Sequence, residues 1–227
     1  MHWIPSPAKS AIFVGCAMLG VSGLGFAAYS IVFGLRGLGL DLSQETYIYT
    51  PDSLPANLAV FSHMMLGGLI MLLAPMQLIG QVRARYPWLH RISGRVVVAG
   101  SIITALGGLG YIGLRGTIAG PLMDAGFALY GGLFLLAAVQ VVRLARAGEV
   151  QRHRAWALRL FVLIMGSLIF RLHYTIWYLL TDGLWSTRQL DGPFDQVQYV
   201  AFYLPYLIVL EFWLRRRAGA PQDARPG

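Results

Sequence analysis

Two short segments of this 227-residue chain carry the same polar residues in the same order. Gly67-Gly68-Leu69 is followed by an apolar run, Gln77, Arg83 and the pair His90-Arg91. Gly131-Gly132-Leu133 is followed by an apolar run, Gln140, Arg146 and the pair His153-Arg154. Dropping one residue early in the first copy brings Gln, Arg, His and Arg into one register. A neutral imidazole can ligate a metal, and a guanidinium can hold a carboxylate or phosphate through two parallel hydrogen bonds. A repeated His-Arg pair is therefore a candidate for cofactor or anion binding. A repeat of this length predicts a duplicated two-helix hairpin, its copies related by an axis along the membrane normal.

Two further histidines sit in patterned places. His63 and His173 each fall about seven residues below the outer end of an apolar run, or roughly 10 Å in at ~1.5 Å per residue. Two pairs at matching depth result, His63 with His173 and His90 with His153. Each pair could supply two axial nitrogens to a b-type haem, since cofactor sites in bundles are built from facing helices. Against this, His153 and His173 are separated by about 200° on a straight helix. In the plainer alternative, the inner histidines cap helices and bind headgroups, while the outer ones satisfy buried carbonyls. Arginines extend the pattern: Arg91, Arg95 and Arg154 at the inner rims, and Arg159 and Arg171 within the fifth apolar run. Arg159 can snorkel to the interface. Arg171 is farther from an easy exit, about nine residues from the outer end, which marks a functional-site hypothesis by default. It could bind a haem propionate or a substrate carboxylate, and candidate partners for the two arginines are Asp124, near the outer end of span 4, and Glu211, near the inner end of span 6.

The elements that must position these residues follow from composition. The chain is 56% hydrophobic and 12% charged, with a mean hydropathy of +0.59, too apolar for an ordinary soluble domain. Runs at roughly 11–33, 56–80, 94–114, 119–142, 155–180 and 196–214 approach or exceed the ~20 residues that cross a hydrocarbon core. Because unsatisfied backbone groups are costly in lipid, they should be helices. The expected fold is all-α, a polytopic six-span transmembrane bundle forming one integral domain, with the duplicated hairpin at spans 2–3 and 4–5. Residues 215–227 form a basic, disordered tail. Arginines concentrate in the 2–3 and 4–5 connections and in that tail, so the positive-inside rule puts both termini in the cytoplasm. The formal net charge of +8 then reflects this asymmetry and anionic lipid, with no nucleic-acid partner needed. Glycines of span 1 (Gly15, Gly20, Gly23, Gly25) and span 3 (Gly100, Gly107, Gly108, Gly110) let helices approach closely or make room for a flat ligand. The lone Cys16 excludes an intrachain disulfide and reads as a packing residue.

His63, the segment Pro87 to Arg95 (PWLHRISGR) and HRAWALR followed by Arg171 together resemble a family of bacterial multi-pass membrane proteins, domain of unknown function 2306. The resemblance spans roughly residues 56–180. It carries over His63, His90, Arg91, Gly94, Arg95, His153, Trp156, Arg159 and Arg171, and implies a bacterial inner-membrane location without naming a reaction. No HExxH, Walker loop, nucleophile elbow or cysteine metal site is present, so the sequence assigns no catalytic residues and no metal site. Whether the chain is an enzyme is left open. Three functional classes remain. One is a haem b protein exchanging electrons with quinone or a redox partner. The second is a binding or transport protein holding an anionic lipid or metabolite at the His-Arg rims. The third is a structural membrane subunit.

Overall fold

The computed structural model describes residues 7–41 and 46–218, with side chains described over 20–41 and 46–217. Expectations for His2, for the packing of Gly15 and Cys16 and for the tail beyond Ala218 lie outside these. Eight helices account for the described chain: α1 (Pro7–Leu38), α2 (Leu54–Leu78), α3 (Gly80–Arg85), α4 (Pro87–Arg115), α5 (Pro121–Arg146), α6 (Val150–Thr181), α7 (Pro193–Ala201) and α8 (Leu204–Ala218). Among the described residues, six segments are long and apolar enough to cross a membrane: most of α1, then α2, α4, α5, α6, and α7 with α8. Six crossings leave the two ends of the described chain on one side. That side, the terminal face, also holds the α2–α4 and α5–α6 connections. The opposite loop face holds the longer α1–α2 and α6–α7 connections.

The helices overrun the apolar runs because local signals, rather than hydropathy, set their ends. Pro87, Pro121 and Pro193 each occupy a first helical position, where a missing N–H costs nothing. α4 therefore begins seven residues before the expected 94, and α6 begins at Val150 rather than 155. His90 and His153 are each the fourth residue of their helices. Their backbone N–H groups donate the first intrahelical bonds, to Tyr86 at 3.2 Å and Glu149 at 2.8 Å. The last span is broken. Pro205 cannot donate to Ala201, and its ring crowds that carbonyl, so Phe202 and Tyr203 form a turn between α7 and α8.

The two hairpins share this histidine position but are joined differently. Between α2 and α4 lies the extra helix α3. Between α5 and α6 there is only a tight turn, in which Gly148 adopts φ 71°. Gly148 donates to Ala145 and Glu149 donates to Leu144, at 3.2 and 3.0 Å. This is the Schellman pairing that stops a helix.

α2 packs against α1, α4 and α6, and α5 bridges α4, α6 and α7. The α1–α2–α4 side is close. A Cβ on Gly68 would stand 2.6 Å from the Ala27 carbonyl oxygen of α1, and one on Gly107 would stand 2.6 Å from that of Ala59 on α2. The other side is held by rings: Phe127, Tyr130, Phe170 and Phe202 form a chain of contacts with centroids 4.9–5.8 Å apart. At the loop face, the fully buried Asp195 accepts from Tyr174 and Ser186 hydroxyls and from the backbone of Thr187 and Gly192, at 2.7–3.0 Å. This carboxylate folds the α6–α7 connection down onto the bundle. Gly68→Val is expected to cost about 1–3 kcal/mol through overpacking, read as a lowered melting temperature in detergent. Gly20→Ala, with nothing within 4 Å of its Cβ, should leave the melt unchanged.

Candidate functional site

A cavity of about 300 Å³ lies between α1, α2, α4, α5 and α6 and extends to the loop face, where Tyr47, Thr117 and Leu190 line it. Its walls are mostly apolar and aromatic, including Phe26, Phe127 and Phe170. Two of the polar groups expected from the sequence meet here, His63 from α2 and Arg171 from α6. Small ligands favour such a setting, a concave apolar space with a few placed polar atoms.

The polar groups are held in defined states. His63 Nδ1 lies 2.7 Å from the Thr104 carbonyl. A carbonyl only accepts, so Nδ1 carries a proton, and in the neutral ring Nε2 keeps its lone pair. Gly108 makes room for this ring, since a Cβ there would stand 3.0 Å from Nδ1. The Arg171 guanidinium sits over the Phe26 ring, 4.1 Å from its centroid, and Nη1 donates to the Ser167 carbonyl at 3.0 Å. Tyr130 donates to the Leu163 carbonyl at 2.5 Å, while buried Thr104 Oγ1 has no partner. No aspartate or glutamate lines the cavity. Arg171 makes no ion pair with a described residue, and Asp124 instead accepts the Thr117 N–H at 2.6 Å, closing the α4–α5 turn.

The outer histidines, His63 and His173, do not form a facing pair. His173 is turned away from the cavity: Nδ1 donates to Gln198 Oε1 at 2.9 Å and Nε2 accepts from Tyr206 at 2.7 Å. Both ring nitrogens are thus engaged, leaving none to face His63. At the terminal face, His153 Nδ1 donates to the Val141 carbonyl of α5 at 3.0 Å. Being 20 residues apart on an unbroken helix, His153 and His173 address different neighbours. The buried Nδ1 of His90 has no partner, like Gln140 Oε1. Arg91, Arg95 and Arg154 are exposed. Arg159 meets the expected Glu211, Nη2 to Oε2 at 2.5 Å.

Sequence reasoning missed Tyr130, Thr104 and Phe26. Tyr130 carried the clearest signal, as a tyrosine in mid-run, away from the interfacial belts where this residue collects. Thr104 and Phe26 carried none, because a threonine and a phenylalanine are unremarked in an apolar helix.

The profile of the family described as "Predicted membrane protein (DUF2306)" matches residues 60–214. No curated protein and no solved structure matches the chain. The match takes in the cavity's α2, α4, α5 and α6 walls with His63 and Arg171, and reaches beyond the expected residue 180 to the last span. The chain belongs to the DUF2306 family of predicted membrane proteins.

Proposed function

We propose that the chain is a membrane-embedded binding protein whose cavity takes a compact amphipathic anion, an apolar body with one acidic headgroup. The observation that carries this is Arg171, a permanent cation on a cavity wall that holds no carboxylate. Arg171 is exposed, yet among the cavity's mostly apolar walls it faces no carboxylate, and the guanidinium's remaining N–H groups match one. Phe26, Phe127 and Phe170 suit an apolar body, and the neutral His63 Nε2 accepts from a hydroxyl beside the acid. The site so assigned is the cavity, and not the His-Arg rims. The arginine asymmetry supports a bacterial cytoplasmic membrane with both termini inside, which puts the cavity's loop-face opening outside.

Decanoate and decanol test this directly, being equal in apolar body and different in charge. The purified protein in detergent is expected to be stabilised thermally by decanoate and hardly by decanol. Arg171→Gln should weaken decanoate at least roughly tenfold, the lower end for a hydrogen bond to a charged group, while Arg171→Lys retains most of it. Equal response to acid and alcohol in the wild type would sink the reading.

One observation favours haem b as a second reading. A histidine whose Nδ1–H is held by a carbonyl presents Nε2 as ligating imidazoles do, and His63 is so held. Arg171 would then take a propionate, with quinone or a redox protein as partner. Purified protein should show a Soret band that His63→Ala abolishes and His173→Ala leaves. Protein that stays colourless after reconstitution with ample haem ends this reading.

A further inference from the structure

A second recess lies between α5, α6 and α8, in the half of the bundle towards the terminal face, with a volume of about 290 Å³. Leu133, Leu136, Leu207 and Ile208 make its walls, while Arg159, Glu211 and Trp156 complete it. Unlike the cavity, it is a groove on the apolar exterior: Leu136 and Ile208 are 45% and 47% exposed. In a bilayer such a face meets acyl chains.

The charges along the groove do not balance. Glu211 takes Arg159 Nη2 on Oε2 at 2.5 Å and Arg215 Nε on Oε1 at 3.1 Å. Two guanidinium groups thus share one carboxylate, leaving one positive charge. Each uses a single nitrogen on Glu211, although a guanidinium offers five donors. Arg215 is 77% exposed, and Arg216 and Arg217 follow it. Arg159 is backed by the Trp156 ring, 4.8 Å from its centroid, which fixes its head in place.

We propose that this groove is a specific site for an anionic phospholipid of the leaflet at the terminal face. One acyl chain lies along Leu133, Leu136 and Leu207. The phosphate accepts from the unspent Nη groups of Arg215, with Arg159 and Glu211 beneath it as a fixed anchor. The excess cation selects a net-negative lipid over a zwitterionic one, and the hydrocarbon walls select a lipid over a soluble phosphate. The site is independent of the cavity and of what it binds.

The test reconstitutes the full chain in vesicles of equal parts phosphatidylglycerol and phosphatidylcholine, extracts it in mild detergent and weighs the retained lipids by native mass spectrometry. Wild type is expected to retain phosphatidylglycerol several-fold over its share. Leu136→Trp fills the groove without changing charge, and Arg215→Gln removes the exposed cation; each should return the ratio to that of the vesicles. Arg171→Gln, at the cavity, should leave it enriched. No enrichment in the wild type overturns the site. So does enrichment that survives Leu136→Trp, since general surface charge then explains it. Leu136→Phe, a smaller filling change, should reduce enrichment in part, and it replaces the tryptophan variant if that one does not fold.

Discussion

In lipid, no hydrophobic force pulls one apolar helix onto another, so close packing of backbones has to hold the bundle together. α2 is where this constraint bears. Gly68 brings it against the Ala27 carbonyl of α1, and Gly107 brings α4 against the Ala59 carbonyl. These contacts close the α1–α2 and α2–α4 seams at those points. On the far side, aromatic rings fill the space between α5, α6 and the last span, and Gly126 closes on the Tyr199 backbone. The cavity lies where α5 and α6 meet α1, α2 and α4. The same glycine run that tightens the α2–α4 seam supplies Gly108, whose missing side chain receives the His63 ring. Packing and site thus share a helix face.

The two arginines of α6 show how differently the bundle treats charge. Arg159 has a carboxylate at 2.5 Å and an indole behind it, so its enclosure is compensated within the protein. Arg171 has a ring face and one carbonyl, which lessen the cost of its position without neutralising it. Twelve residues apart on one helix, they face different compartments, one a groove on the apolar exterior and the other a cavity that reaches the loop face. A helix with polar groups on several sides must be surrounded on several sides, and α6 is, by α2, α5 and α8.

How much of this could be read from residues alone depends on the physics behind each feature. Six spans were legible because hydrocarbon thickness imposes a length that composition cannot hide. Their ends were not: hydropathy falls at the first arginines, while Pro87 and Val150 start helices well into polar sequence. The Arg159–Glu211 pair was legible because both residues lie near the terminal-face ends of their spans. The pairing of His63 with His173 was not, since depth along a helix says nothing about azimuth. His173 faces Gln198 and Tyr206 because Pro205 breaks the last span and brings both residues beside it, a tertiary consequence invisible in the spacing. Arg171 was flagged as isolated from easy exit. That Asp124 would leave it unpaired depended on a local turn at Thr117.

The length of α6 has a consequence for where its charge lies. Thirty-two residues make a rod of about 48 Å, against a hydrocarbon slab of about 30 Å. Standing upright and centred, it would overhang by about 9 Å at each side. Arg171, about 15 Å from the helix end, then lies only about one turn beneath the headgroups. Tilt would shorten the overhang and draw the guanidinium deeper, and a thinner bilayer would lift it towards water. The electrical environment of this cation is therefore set partly by the thickness and composition of the surrounding membrane. A lipid change that never touches the cavity alters how strongly its one fixed charge is felt there.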